Sequence, residues 1–325
     1  MIYNFPMLSN LVSVIIPAYN AEEHILECVN SVLMQTHRHL EIIIVNDGST
    51  DHTLEILKSI HDDRIILIDQ ENKGCSSAKN TGLKIASGDF IQYLDADDVL
   101  SHDKIEAQLI ILEHQENAIA VCKTVVFQDD ISITNGEIDS EIIRKEGSGL
   151  AFLLRLLGSE GRTAMVQPNA YLLPKSIADK IGGWNIEISP SPDEDGEYFA
   201  RALLVAENIY FTEGVNYYRK LPNQKSLSQV HSYQRALNLL RTVDVKFSHI
   251  FKVEQSKQIA KLFQLNISQV AYQFGTFYPE IIAESKKSLQ RNAFKSLKIK
   301  QPLNFNIIAS LIGFEYAIRI KRLLK

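Results

Sequence analysis

Tyr93-Leu94-Asp95-Ala96-Asp97-Asp98 is an apolar run that ends in three carboxylates within four positions. Phe90, Ile91, Tyr93 and Leu94 have the make-up of a strand buried on both faces. In open α/β sheets, ligands bind at the edge formed by the carboxyl ends of the strands. Carboxylates this close repel one another unless a cation or hydrogen-bond donors sit among them. A hard divalent ion that shares its oxygen shell with substrate phosphates is the usual partner. A plainer reading is an Asp-rich turn capping a helix that starts near Ser101 or His102. These six residues alone leave the two readings balanced, and the surrounding sequence must decide.

Upstream, Leu11 to Ile16 is a β-rich run stopped by Pro17, and Glu41 to Val45 is a second run stopped by Asn46-Asp47-Gly48-Ser49. Ile65 to Ile68 reads as a third strand and Phe90 to Leu94 as the fourth. Between them lie helical patterns. Glu22 to Leu33 aligns Ile25, Val29, Val32 and Leu33, and Thr53 to Ile60 is the second. Cys75 to Ala86 has a small-residue face of Cys75, Ala78, Gly82 and Ala86, and Asp103 to Leu112 closes the series. This alternation predicts a parallel sheet covered by helices on both faces. Right-handed crossovers put the ends of all four strands on one edge. Pro17 to Asn20, Asn46 to Ser49, Asp69 to Gly74 and Asp95 to Asp98 then converge there, which makes a site out of four loops.

The chain has 325 residues, 45% of them apolar and 22% charged, enough for a large α/β domain with an appendage. Its net charge of -5 is unevenly spread: residues 286–325 hold ten basic side chains against Glu315, or +9, leaving -14 for the rest. A basic tail on an acidic body suits an anionic surface such as a membrane. Phe314, Ile318, Leu323 and Leu324 beside Arg319, Lys321 and Arg322 fit a peripheral contact, and equally an ordinary packing helix. Met1 to Asn10 lacks the features of a signal peptide. Apolar runs such as Ile307 to Phe314 are too short to span a bilayer. Cys28, Cys75 and Cys122 are scattered and odd in number, as expected of free thiols in a reducing compartment.

Beyond residue 119 the pattern is mixed. Ala120 to Phe127 reads as a strand and Gly149 to Leu157 as a helix. Met165 to Leu173 reads as extended, Glu194 to Val205 as a helix and Val215 to Arg219 as a short strand. From His231 the chain is helical, with interruptions near Pro279 and Pro302.

Taken in order, several pieces resemble the family 2 glycosyltransferases, inverting enzymes with the GT-A fold. They are Val14 to Glu22, Val45 to Asp51, Asn72 to Gly74 through Ala78 to Gly82, Tyr93 to Asp98, Gly182-Gly183-Trp184-Asn185, and Glu194-Asp195 with Glu197 to Arg201. The resemblance implies an α/β, GT-A-type nucleotide-binding fold with a mainly parallel central sheet flanked by helices, plus a C-terminal helical extension. The expected domains are 1–229 for catalysis, with the donor half at about 11–115 and the acceptor half at about 116–229, and 230–325 for a helical region with the basic tail.

The same resemblance implies roles. Pro17, Ala18, Tyr19 and Glu22 would hold the nucleoside, and Asp47 would accept from an imide N–H such as uracil N3. Gly74, Lys79, Asn80, Asp95 and Ala96 would line the rest of the donor site. Arg is usual where Lys79 stands, so the charge is kept and the bidentate fork is lost. Asp97, with Asp95, would ligate Mg²⁺ or Mn²⁺. Gly182, Gly183 and Trp184 would face the acceptor, although a lone Trp is at least as often core. Asp195 would be the catalytic base with Glu194 beside it, against the plainer reading of an acidic helix start. Many relatives carry a His after the stretch Tyr217-Tyr218-Arg219, and here Lys220-Leu221-Pro222 has none. Arg219, Lys220 or Lys225 would then be left to face the diphosphate, with Ser226-Leu227-Ser228 also family-like.

The implied activity is metal-dependent transfer of a hexose from a nucleotide-diphospho-sugar, expected to be UDP-linked, to a glycan or lipid-linked acceptor in cell-surface polysaccharide biosynthesis. The expected location is cytoplasmic, at most peripheral to the membrane, and nucleic acid is not an expected partner. The alternative is an inactive glycosyltransferase-like binding or scaffold protein. The absence of a Gly-x-Gly-x-x-Gly after a strand argues against a dinucleotide oxidoreductase. Pro17 to Asn20 is unlike the phosphate loop of a nucleotidyltransferase.

Overall fold

A computed structural model describes residues 10–115, 117–138, 140–220 and 232–291. These fall into two compact units. One lies within Met1–Leu156, Thr163–Ile186 and Tyr198–Gln224, the other within Leu157–Arg162, Glu187–Glu197 and Lys225–Lys325.

All strands among the described residues belong to the first unit. They are β1 (Val12–Ala18), β2 (Leu40–Asp47), β3 (Ile65–Gln70), β4 (Phe90–Tyr93), β5 (Val99–Leu100), β6 (Ala118–Phe127), β7 (Thr134–Ile138), β8 (Tyr171–Pro174) and β9 (Asn208–Arg219). The sheet order is β3-β2-β1-β4-β8-β6-β9-β5, with β7 paired to β6 off that path. The first four strands are parallel, as the alternating pattern requires. Every residue of β1 and β4 is buried, which explains their nearly unbroken apolar composition. The register sets Ala18 beside Asn46, Asp47 beside Gln70 and Ile15 beside Tyr93, so the strand ends share one edge.

Beyond β4 the sheet mixes directions. β8 runs antiparallel to β4 and to β6, β6 and β9 are parallel, and β5 is antiparallel to β9. Helix Cys75–Ile85 lies against β1 so closely that a Cβ on Gly82 would come 2.5 Å from Ile15 Cγ2. Its small face is therefore a packing face.

Several local expectations change. Met165 to Leu173 is not continuously extended: Pro168–Ala170 forms a short 3₁₀ turn and the strand begins at Tyr171. The strand ending at Arg219 begins seven residues earlier than expected, at Asn208. β5, β7 and helix Lys175–Ile181 carry too little periodicity to be read in advance. The helix after β1 starts at Ile25 without a side-chain cap. Nor do the aspartates cap the next helix, which starts at Lys104.

The second unit contains helices Tyr233–Val253, Lys257–Phe274 and Pro279–Arg291. Ser232 and Ser256 cap the first two, accepting from the N–H groups of Arg235 (3.2 Å) and Ile259 (3.3 Å). Pro279 opens the third, where its missing N–H costs nothing. Leu240, Val243, Phe247, Ile259, Phe263 and Ile267 are among the residues of its apolar core.

All three cysteines are free, Cys28 and Cys122 buried and Cys75 half-buried. No helix among the described residues is long and apolar enough to cross a membrane. The basic tail from residue 292, the Pro302 interruption, Lys225 and Ser226 to Ser228 lie outside the described residues.

Candidate functional site

The loops after β1 and β2 are clasped to one another. Asn20 has φ +49°, and its Oδ1 accepts from the Thr50 N–H at 2.8 Å, while its own N–H reaches Ser49 Oγ at 3.0 Å. The N–H groups of Ala21 and Glu22 donate to Thr53 Oγ1 (2.8 Å) and Asp51 Oδ2 (3.2 Å). Glu22 Oε2 lies 2.8 Å from both the N–H and the Nδ1 of His52, and these bonds hold its carboxyl below the usual range. Pro17 and Ala18 are buried at the end of β1, and Tyr19 is 51% exposed, so a ring stands open at this edge.

Asp47 is 3% exposed and organises the next loop. Its carboxylate accepts from Gln70 Nε2 (2.7 Å), the Lys73 N–H (3.0 Å) and the Gly74 N–H (2.8 Å). A carboxylate accepts about four hydrogen bonds, so three donors leave one direction open. Gly48 has φ +68°, and a Cβ there would come 2.7 Å from the Asn72 nitrogen. Only glycine lets these two loops approach. Gly74, at φ +88°, precedes helix Cys75–Ile85.

The three aspartates have different surroundings. Asp95 is half-buried and pairs with Lys79 Nζ at 3.1 Å. Asp98 is fully buried and accepts from the Arg219 N–H (2.8 Å) and the Asn169 side-chain amide. Burial raises its carboxyl well above the usual range, with Asp97 and Asp95 adding to the effect. Asp97 reaches solvent, yet protein crowds it on most sides. Desolvation first and the Asp95 charge second push its carboxyl up to about 6. Asp97 is thus a carboxylate that reaches solvent while its surroundings disfavour the anion. Ala96, between them, is buried.

Arg219 lies under this loop and does not face outward. Its backbone reaches Asp98, its Nε donates to the Asp97 carbonyl at 2.8 Å, Nη1 donates to the Gln128 carbonyl at 3.0 Å, and Nη2 pairs with Glu27. The guanidinium also stacks 4.3 Å above the Phe127 ring. Lys220 is exposed at the end of β9.

Asn169 braces the loop from the other side. Its Oδ1 accepts the Asp95 N–H at 3.1 Å and its Nδ2 donates to Asp98. Its carbonyl accepts from Gln92 Nε2 at 2.9 Å, and Gln92 Oε1 in turn accepts from the fully buried Lys104 ammonium. Neither Asn169 nor this relay is visible as a motif. One signal was available: Gln92 and Lys104 are polar residues inside apolar elements, and buried polar groups need partners.

Asn80 and Lys79 reach the Gly-Gly-Trp loop. The Asn80 amide accepts from the Trp184 N–H at 2.7 Å and donates to the Trp184 carbonyl at 2.9 Å. Arg201 Nη2 donates to the Gly183 carbonyl at 2.9 Å. Gly182 has φ +75°, and a Cβ on Gly183 would come 2.5 Å from Asn80 Oδ1. Trp184 is 3% exposed, stacked on Tyr198 at 4.4 Å and edge-on to Tyr93 at 5.0 Å. Lys79 Nζ sits 4.4 Å over its ring. The indole therefore packs as core and shows no open face.

Glu194 and Asp195 lie in the second unit, in the first turn of helix Glu194–Val205. Both are half-buried. Among the described residues, no three His, Cys, Asp or Glu side chains are grouped so as to hold a metal by themselves. A depression of about 730 Å³ lined by Leu57, His61, Asp62 and Ile65 is at the opposite end of the strands and contains none of these residues.

The fold has a counterpart among solved structures. The solved structure of Staphylococcus aureus TarS 1-349 in complex with UDP-GlcNAc superposes with a TM-score of 0.63 at 17% identity, covering 96% of this chain and 82% of that one. This establishes a GT-A-type architecture. The family model for glycosyl transferase family 2 matches residues 13–166. An uncharacterized glycosyltransferase of Rickettsia typhi is 44% identical over 238 residues, covering 70% of each chain. Chondroitin synthase of Escherichia coli is 41% identical over 133 residues, 40% of this chain, and the match spans only 18% of that enzyme. The chain belongs to glycosyltransferase family 2.

Proposed function

We propose that the protein transfers a sugar, with inversion, from a UDP-linked donor to a glycan or lipid-linked hydroxyl, with a divalent cation at the donor site. The observation that carries the reading is Asp97: a braced, solvent-reaching carboxylate pushed up to about 6, beside an Asp95 already matched to Lys79. The carboxylates of Asp97 and Asp95 are hard oxygen donors of the kind that suits Mg²⁺ or Mn²⁺, ions that keep waters and substrate phosphates in their shell. Such an ion supplies Lewis-acid stabilisation of the departing diphosphate. The TarS structures with UDP and UDP-GlcNAc support the choice of a nucleotide-sugar donor.

The chain's own groups divide the remaining work. The open acceptor direction on Asp47 suits the imide N–H of uracil. Tyr19 offers a ring to the base, and the N-terminus of helix Cys75–Ile85 after Gly74 suits phosphate oxygens. Asp195 takes the proton from the acceptor hydroxyl as its oxygen bonds to the anomeric carbon and the bond to the β-phosphate oxygen breaks. Gly182 and Gly183 border the acceptor. Trp184 shapes that border from beneath, held by Asn80, Lys79 and Tyr198. Positioning of both substrates lowers the barrier further.

The test is thermal stabilisation by UDP, GDP, dTDP and CDP, with and without Mn²⁺, for wild type and Asp97→Ala. A ligand that binds the native state raises the melting temperature by mass action. The expected result is a Mn²⁺-dependent shift for UDP that Asp97→Ala abolishes. No shift with any nucleotide would overturn the donor reading in favour of a scaffold role.

A further inference from the structure

Four acidic side chains, Asp193, Glu194, Asp195 and Glu197, fall within five positions of the second unit. Left to themselves they repel one another, and a helix N-terminus offsets only part of that repulsion. We propose that helix Tyr233–Val253 is the positioning element for the candidate base and that Lys246 is its central positioning residue. The inference rests on the reading of Asp195 as the base.

The helix presents two stripes. Ala236, Leu240, Val243, Phe247 and Ile250 are buried in the core of the unit. Beside them Asn238, Thr242, Lys246 and His249 recur at intervals of four, four and three, which places them along one line of the helix surface. Each of these four meets the segment that carries Asp195. Asn238 Nδ2 donates to the Pro190 carbonyl at 3.1 Å. Thr242 Oγ1 lies 2.8 Å from Ser191 Oγ. The Lys246 ammonium pairs with Asp193. His249 Nε2 lies 3.2 Å from Glu197 Oε1. Arg235, one turn earlier, acts electrostatically on Glu194.

The hydroxyl contact has a fixed direction. Thr242 spends its proton on the Asn238 carbonyl at 2.8 Å, so Ser191 must donate to Thr242, and Ser191 Oγ receives the Asp193 N–H at 3.4 Å.

The contacts bracket Asp195. Asp193, two residues before it, and Glu197, two residues after it, are held by Lys246 and His249. Lys246 is 7% and Glu197 1% exposed at the side chain, so each is kept from water and depends on its own partner, Asp193 or His249. Gly196 adds a steric argument. A Cβ there would come 1.9 Å from Asp193 Oδ1 and 3.3 Å from Lys246 Nζ. The backbone next to Asp195 therefore wraps directly over the Asp193–Lys246 pair, and any side chain at 196 would push it away. A base must hold its geometry closely, because a displacement of about 1 Å costs on the order of a hundredfold in rate. A clamp on both flanks of Asp195 meets that demand.

The experiment uses the full-length protein and four variants: Lys246→Met, Lys246→Arg, Asp193→Asn and Asp195→Asn. Three quantities are read: UDP release from UDP-GlcNAc with water as acceptor, UDP affinity in Mn²⁺, and amide exchange of peptides covering residues 188–198. Lys246→Met is expected to lower turnover about 10- to 100-fold, to leave UDP affinity within about twofold, and to speed exchange in residues 188–198 about tenfold or more. Lys246→Arg, which restores the charge, should recover most of both. If Lys246→Met does not fold, Asp193→Asn keeps the shape, removes the partner charge and is expected to show the same split. Asp195→Asn with wild-type turnover would sink the base reading itself. Asp195→Asn inactive while Lys246→Met and Asp193→Asn keep wild-type turnover would overturn the positioning role and leave the base reading standing.

Discussion

Lys104 offers a quantitative test of the floor beneath the aspartate loop. Its side chain is fully buried, and its ammonium reaches Gln92 Oε1 and, at 3.4 Å, the Tyr171 carbonyl. Burial lowers its pKa from 10.5 to about 8. The unfolded chain therefore binds the proton more tightly than the native protein. The burial cost, about 3 kcal/mol, is fully present below pH 8 and fades as pH rises toward 10.5. The perturbation is Lys104→Met, which keeps the length of the side chain and removes the charge. Urea unfolding of both proteins between about pH 7 and pH 9.5 should show wild type gaining about 2 kcal/mol relative to the variant. Taking the difference removes most of the contribution of other groups. Cys122, which burial raises to about 11, stays protonated across this range. The loss of a partner for Gln92 shifts the difference by a constant and leaves its slope unchanged. A difference that stays flat over that range would refute the assignment of a desolvated ammonium to the floor of the site.

The same reasoning extends to neighbouring groups. Arg219→Met removes the bonds to the Asp97 and Gln128 carbonyls and the pair with Glu27. It should cost about 3 kcal/mol in urea melts and weaken Mn²⁺-dependent UDP binding, because the aspartate loop loses its support. Asn80→Ala removes both hydrogen bonds to the Trp184 backbone. Trp184 is the only Trp, so its emission should move to the red as the ring becomes wetter, with a stability loss of about 2 kcal/mol. Unchanged emission would show that the loop is held elsewhere. Asp97 must be ionised to bind a cation, and its carboxyl sits at about 6. Mn²⁺ affinity should therefore fall as pH drops through 6, by about tenfold at one pH unit below it, and a profile flat from pH 7 to pH 5 would contradict that.

The donor half was legible because its signals are local. Pro17, Gly48 and Gly74 mark where strands or loops must turn, and four apolar strands with helical intervals between them leave one topology. The brace under the aspartates was not legible. Arg219 stands next to Tyr218 in an ordinary strand and is one of three candidates, with Lys220 and Lys225, to face a diphosphate, yet β9 returns it beneath Asp97, more than a hundred residues away in sequence. Asn169 follows Pro168 in a stretch read as extended, and the 3₁₀ turn there aims its amide at Asp95 and Asp98. Trp184 was open to two readings, and its 3% exposure among Tyr93 and Tyr198 makes it a packing residue.

Sequence by itself determined the parallel half of the sheet, the edge where its loops meet and the residue types gathered there, because strand and turn propensities act over a few residues. Tertiary structure alone decided which of three adjacent aspartates is buried, which is paired and which reaches water. It also decided that the stripe on helix Tyr233–Val253 meets the acidic segment around Asp195. Those outcomes depend on contacts between distant segments, and burial, which sets the charge state of each carboxylate, is a property of the packed chain.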